Sequence, residues 1–318
     1  MATGQVRVAV IGTGDVGRGW AAMCVAAGWP VSLYDSEAGA LADAAPEVTS
    51  RAKVLADLER ADPVALASGL EQLCVGRSLL DACREAQWVI EAGPEDLRTK
   101  QKMFEAIESV AGKARAVTSS TSGLKMADIA ARCLRQDRCL VTHPLNPPEL
   151  LPLVEMVPGP MTDHALVEVV KGWLHALGKI PVEIKKPVPG NVANRIAAAV
   201  WREAIDLVLE GVIDVEDLDR AVSVGPALGW AAAGPHLTYH LAAGDRGVRG
   251  FLQHLLQTFE MIWADLPTWT SLEPESRRKL IGSIEKAYEQ QILPLRGARD
   301  RRLAEILRGL EHAREKKE

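Results

Sequence analysis

The stretch Val6–Asp35 reads VRVAVIGTGDVGRGWAAMCVAAGWPVSLYD, and its pattern decides what kind of fold follows. An apolar run, Val8 to Ile11, meets Gly12, Gly14 and Gly17 in G-x-G-x-x-G spacing. An apolar helical pattern comes next, and a second β-rich run, Val31 to Tyr34, ends in Asp35. The order is strand, turn, helix, strand. Gly12 permits the tight turn, Gly14 lets a diphosphate approach the backbone, and Gly17 lets the helix lie against the strand. A helix opening near Asp15 and Val16 offers free N–H groups and the positive end of its dipole to those phosphates. Asp35, 18 residues past Gly17, stands where a carboxylate accepts adenosine ribose hydroxyls and repels a 2′-phosphate, which favours NAD over NADP. Two plainer readings sit beside these: a glycine turn with no ligand, and Asp35 or Ser36 as the cap of the next helix.

With 318 residues the chain exceeds the roughly 250–300 at which a single core stops growing, so two domains are expected. Apolar residues make up 47% and charged residues 25%, the proportions of an ordinary globular protein. A net charge of −5 carries no basic footprint and disfavours a nucleic-acid partner. The five cysteines are scattered without C-x-x-C spacing, so neither a disulfide framework nor a metal site is expected, and a reducing compartment fits. No charged leader with an apolar core opens the chain, and no apolar run approaches roughly eighteen residues. A cytoplasmic location away from membranes is the expectation. The eight tryptophans against three phenylalanines and three tyrosines have no physical explanation at this level.

Further along, the pattern predicts helices over 37–58 and 63–73, an insertion that either covers a substrate or packs. Strands follow at Ala86–Ala92, Ala116–Ser119, Cys139–His143, Leu153–Val157 and Ile180–Ile184, with helices between them. The alternation argues for an α/β, Rossmann-type, doubly wound and mostly parallel sheet. After Lys185-Lys186-Pro187-Val188-Pro189-Gly190 the β signal is gone. The boundary is placed there: residues 1–186 as an NAD-binding domain and 187–318 as an all-α substrate and dimerisation domain. The latter opens on a long amphipathic helix with Ile196, Val200, Ile205, Val208 and Leu209 near helical spacing. The last residues, 314–318, read as a frayed charged tail.

A nicotinamide dehydrogenase must supply a base for the alcohol proton and a grip on the substrate. Histidine suits a base near neutral pH, and a carboxylate on its far nitrogen fixes the tautomer. His143 ends one strand and Glu155 lies on the next, across a loop stiffened by Pro144, Pro147, Pro148 and Pro152. The pair can meet at the carboxyl edge of the sheet, where such folds bind ligands. From the residues alone, a packed loop histidine with a buried structural partner explains both positions as well.

Five motifs in order, GTGDVG, EAGPEDLRTK, SSTSGL, HPLNPPELLPLVEMVPGPMT and GNVANR, resemble the L-3-hydroxyacyl-CoA dehydrogenase family. The resemblance implies His143 as general base, Glu155 as its orienting carboxylate, and Ser122 and Asn194 as hydrogen-bond partners of the reacting oxygen. It also implies Glu95 and Lys100 near the nicotinamide ribose, with Ser120 on the cofactor side of the hydroxyl-rich turn, and a homodimer through the second domain. Ser120-Thr121-Ser122-Gly123, Pro144 after the histidine, and VWREA at 200–204 are similar to the carnitine dehydrogenase, L-gulonate 3-dehydrogenase and lambda-crystallin branch, whose enzymes oxidise small free 3-hydroxy acids. A carnitine-like substrate would bring Trp230 or Trp263 into question as a face for a quaternary ammonium, the plainer role being core or interface. Two alternatives stay open: an L-3-hydroxyacyl-CoA dehydrogenase, and a non-catalytic NAD-binding protein of the lambda-crystallin kind.

Overall fold

The computed structural model describes residues 5–289 and 292–315. The chain divides into two compact units, Met1–Arg195 and Ile196–Glu318.

The first unit is built on eight strands: β1 (Val8–Ile11), β2 (Val31–Tyr34), β3 (Leu73–Val75), β4 (Trp88–Glu91), β5 (Ala116–Ser119), β6 (Cys139–Pro144), β7 (Leu153–Pro158) and β8 (Ile180–Glu183). Their order is β3-β2-β1-β4-β5-β6-β7-β8, and every neighbouring pair is parallel except β6 with β7. From β1 the chain winds outward to β3, then returns to the other side of β1 at β4. Ligands bind at such a switch point, outside the carboxyl ends of the strands. β1, β4, β5 and β6 are buried along their whole length. Strands covered by helices on both faces read as continuous apolar runs, which is why VAVI and WVIE show no alternation.

The segment after Asp35 departs from expectation. Its helices are Ala38–Ala42, Ala44–Asp57 and Pro63–Glu71, with a break at Asp43, and Leu73, expected to end the last helix, instead opens the unexpected strand β3. Leu73, Cys74 and Val75 pair in parallel with Val31, Ser32 and Leu33. The helices are therefore the crossover between two sheet strands, not an insertion. Three apolar residues just past a helix carry too short a pattern to announce a strand. Helix Pro63–Glu71 packs backbone to backbone on helix Asp15–Ala26, for a Cβ on Gly69 would lie 2.0 Å from the Val25 carbonyl oxygen.

Tryptophan supplies much of the core of this unit. The Trp20 and Trp88 rings meet edge to face and Trp88 and Trp173 tilt together, each pair with centroids 5.6 Å apart. Such pairs contribute about 0.5–1.5 kcal/mol beyond their buried area. The fully buried indoles of Trp88 and Trp20 find oxygen: Trp88 donates to Thr118 Oγ1 at 2.9 Å and Trp20 to Ser120 Oγ at 3.0 Å. Cys24, Cys83, Cys133 and Cys139 are buried free thiols, and Cys74 is exposed on β3.

The division between units falls within helix Ala193–Leu209. The second unit continues with helices Val215–Val224, Pro226–Ala233, Pro235–Leu241, Gly247–Asp265, Pro274–Ala287 and Ile292–Glu315. Of the apolar stripe expected on helix Ala193–Leu209, Ile205 is buried whereas Ile196 is 56% exposed. Tyr239, Phe251, Phe259 and Trp263 form a row of rings with centroids 5.1 to 5.8 Å apart. Trp230 is half-buried and Trp263 exposed. Among the described residues no helix is long and apolar enough to cross a membrane. The end of the charged tail, Lys316 to Glu318, lies outside the described residues.

Candidate active site

The glycine turn at the end of β1 separates the roles of its three glycines. Gly12 has φ +101°, and a Cβ there would lie 2.6 Å from the Ala92 carbonyl carbon and oxygen, so only glycine joins β1 to the end of β4. A Cβ on Gly17 would lie 1.9 Å from the Gly12 carbonyl oxygen. A Cβ on Gly14 would meet nothing within 4 Å. Gly14 thus borders open space, the approach a diphosphate needs. It is also the N-cap of helix Asp15–Ala26 without a side-chain cap, which leaves first-turn N–H groups for a ligand.

Asp35 closes the turn. Its Oδ2 accepts from Thr13 N at 2.6 Å and Thr13 Oγ1 at 3.0 Å, and its Oδ1 accepts from Glu37 N at 3.0 Å. A carboxylate offers about four lone-pair sites, so ribose hydroxyls find remaining capacity. The local capping role and the ribose role are compatible on one side chain.

Gly12, Gly14, Asp15, Val16 and Asp35 share a cleft of 880 Å³ with Glu95, Lys100, Ser120 and Ser122. The sequence places these residues far apart; the parallel register brings the strand ends that carry them to one edge. Beneath the cleft lies a group that sequence reasoning missed. Glu91, fully buried at the end of β4, holds Lys100 Nζ at 2.8 and 3.0 Å, Ser119 Oγ at 2.5 Å and Gly93 N at 2.7 Å. Lys100, 1% exposed, also donates to Gly93 O at 3.2 Å and lies 3.7 Å from Glu95 Oε2. Glu95 in turn accepts from Thr121 Oγ1 at 2.6 Å and Ser122 N at 2.9 Å. The chain Glu91–Lys100–Glu95 therefore fixes the turn that presents Ser122. An acid inside the run AQWVIEA was the available signal, since a carboxylate in a buried strand requires a partner.

On the neighbouring strands, His143 near the end of β6 faces Glu155 on β7 in register. His143 Nδ1 lies 2.8 Å from Glu155 Oε2, and both side chains are buried. The other oxygen of Glu155 accepts from Val192 N and Ala193 N, each at 2.9 Å. The bend that presents these two N–H groups passes through left-handed backbone at Gly190 (φ 77°) and Asn191 (φ 49°). Asn194 follows in the first turn of the helix and is half-buried. A Cβ on Gly123 would lie 2.7 Å from Gly190 N, so this glycine lets the Ser122 turn abut the segment leading to Asn194.

A diphosphate-ready turn and an imidazole held by a carboxylate on one sheet edge are the equipment of a dehydrogenase, and the chain is an NAD-dependent dehydrogenase acting on a CH–OH group. It belongs to the 3-hydroxyacyl-CoA dehydrogenase family: residues 7–187 match that family's NAD-binding domain and residues 190–270 its C-terminal domain. It is similar to the L-carnitine dehydrogenase of Streptomyces griseus subsp. griseus, with 36% identity over 312 residues, covering 95% of this chain and 89% of that protein. The L-carnitine dehydrogenase of a Pseudomonas species is 34% identical over 309 residues, covering 95% and 93%. Among solved structures, the NAD-dependent dismutase 5-formyl-3-hydroxy-2-methylpyridine 4-carboxylic acid 5-dehydrogenase superposes with a TM-score of 0.80 at 29% identity, covering 96% of this chain and 99% of that one.

Proposed function

We propose that this dehydrogenase oxidises a small, free, carnitine-like L-3-hydroxy acid to its 3-keto acid, with His143 as the general base. The observation that carries this reading is the 2.8 Å contact between His143 Nδ1 and Glu155 Oε2. Nδ1 keeps its proton toward the carboxylate, so Nε2 is left as the acceptor for the hydroxyl proton. The imidazolium that forms is stabilised by Glu155, whose own orientation is held by Val192 N and Ala193 N. NAD, when bound across Gly12, Gly14, Gly17 and Asp35, supplies the two-electron acceptor. Ser122 and Asn194 hydrogen-bond the reacting oxygen, and Ser120 and the Glu95–Lys100 pair border the nicotinamide end. The names of the similar carnitine dehydrogenases and of the pyridine-carboxylate enzyme support a substrate that carries its own carboxylate.

The test is reduction of NAD with carnitine, gulonate, 3-hydroxybutyrate and 3-hydroxybutyryl-CoA. Turnover of a free acid is the expected result. Preference for the CoA ester would return the chain to acyl-CoA chemistry, and NAD binding without turnover of any of them would make it a binding protein.

The second unit serves as the substrate and dimerisation domain in this reading. Exposed apolar side chains support a homodimer there, among them Ile196 and Trp201 on helix Ala193–Leu209 and Ile262 and Trp263 on helix Gly247–Asp265. Light scattering at micromolar concentration should give twice the chain mass.

A further inference from the structure

The loop between His143 and Glu155 is tied to the diphosphate-facing helix by charges that the proposed reaction does not use. Arg51, on helix Ala44–Asp57, pairs through Nη2 with Asp15 Oδ1; its Nη1 donates to Asp15 O at 3.2 Å and to Glu149 Oε1 at 3.3 Å. Asp15 opens helix Asp15–Ala26 and borders the cleft, while Glu149 belongs to the loop. Gly19 permits the close approach, since a Cβ there would fall 2.6 Å from Glu149 Oε2 and 2.9 Å from Pro148 Cδ. Lys179 holds the same loop, Nζ donating to Pro148 O at 2.6 Å and Leu151 O at 2.9 Å.

Glu149 is a costly choice for its place. Its Oε2 is buried with no hydrogen-bond partner among the described residues. Burial pushes its carboxyl above the usual carboxylate range in spite of Arg51. Glutamine would fill the same volume without a buried charge. A buried polar group left unsatisfied calls for an explanation outside stability.

We propose that Arg51 and Glu149 are positioning residues that tie the loop between His143 and Glu155 to the first turn of the diphosphate-binding helix, so that NAD binding orders the imidazole–carboxylate pair. This rests on the reading of the cleft as the NAD site and of His143 as the base. An acid in the first turn and an incoming diphosphate compete for the same positive field. Arg51 offsets the charge of Asp15 at that turn, so a diphosphate arriving beside Asp15 tightens the hold of Asp15 and Glu149 on the one guanidinium they share.

Amide hydrogen exchange reads the tie without turnover. Leu150 and Leu151 donate their N–H groups to Pro147 O at 3.1 and 3.0 Å and serve as reporters. In the unaltered protein NAD should slow their exchange about tenfold. In Glu149→Gln, NAD should bind within about threefold of the same affinity, yet the slowing should vanish and kcat should fall about tenfold. The thermal midpoint of Glu149→Gln should stay at or above that of the unaltered protein. Should that variant fail to fold, Arg51→Lys, which keeps the charge and loses the fork, carries the same test and the same expectation. The double variant Arg51→Lys/Glu149→Gln should have a kcat no lower than the worse single one. Slowing by NAD that survives in Glu149→Gln or Arg51→Lys, or losses in kcat that multiply, would overturn the tie. An unaltered protein that binds NAD without slowing these amides also overturns it, whereas one that fails to bind NAD overturns the reading of the cleft.

Discussion

The imidazole of His143 and the carboxylate of Glu155 face each other at 2.8 Å across β6 and β7, the one antiparallel pair in the sheet. Because β7 runs back, its start lies at the same edge as the end of β6, and a carboxylate twelve residues away in sequence lands opposite the ring. The second oxygen of Glu155 is occupied by two backbone N–H groups. These donors orient the carboxylate toward the ring.

Replacing His143 by Asn should lower kcat by about 10²–10⁴-fold, the usual worth of a positioned base, with the Kd for NAD nearly unchanged. Parallel loss of turnover and NAD affinity would make the residue structural. Glu155→Ala should in addition lower stability by about 1–3 kcal/mol for each N–H left unpaired, read by urea unfolding.

Oxidation passes a proton to the base and on to solvent, so the initial rate should rise with pH between about 6 and 10. A flat profile would count against a histidine base.

Gly14 and Gly17 should respond oppositely to a methyl group. Gly17→Ala drives a Cβ into the Gly12 carbonyl oxygen and should destabilise the fold by at least about 1–3 kcal/mol. Gly14→Ala adds its Cβ to open space and should leave the melting temperature alone while weakening NAD binding by about tenfold or more. Calorimetry and NAD titration on both variants decide it.

Lys100→Met strands the Glu91 carboxylate in a fully buried site. Breaking such a pair costs about 3–5 kcal/mol, and the double variant Lys100→Met/Glu91→Met should recover part of it. Denaturant midpoints of the single and double variants make the comparison.

Stability should carry a signature of Lys179. Its ammonium is lowered from the usual 10.5 to about 7, chiefly by burial with Arg60 adding to the shift, while Glu149 and Cys24 act the other way. Above that value the folded chain has released a proton that the unfolded chain still holds. The lysine's contribution is therefore least favourable below about pH 7 and improves as pH rises, by at most about 1.4 kcal/mol per pH unit. Lys179→Met should show a flatter dependence over that window, and equal slopes for both proteins would refute the assignment.

Local signals marked the glycine turn and the His143–Glu155 pair and left the links between them hidden. The turn from Gly12 to Gly17 and the acid at Asp35 lie within one strand–helix–strand unit, so spacing alone described them. His143 and Glu155 were marked by strand ends and an intervening proline-rich loop. β3 gives no sequence signal, because three residues directly after a helical pattern carry no period. The contact from Arg51 to Glu149 spans 98 residues and depends on how a crossover helix packs, which no local pattern records. Glu91 was overlooked because an acid at the end of an apolar run resembles a solvated strand terminus until parallel neighbours bury it.

The indoles of Trp20, Trp88 and Trp173 give the first unit an optical handle. Trp20 and Trp88 are shut away from water, so their emission should be blue-shifted, and the Trp20 nitrogen donates to Ser120 at the rim of the cleft. Reduced nicotinamide absorbs where indole emits, so a coenzyme bound there should quench this light by energy transfer. The chain thus carries its own fluorescent gauge of cofactor occupancy, and no label has to be attached.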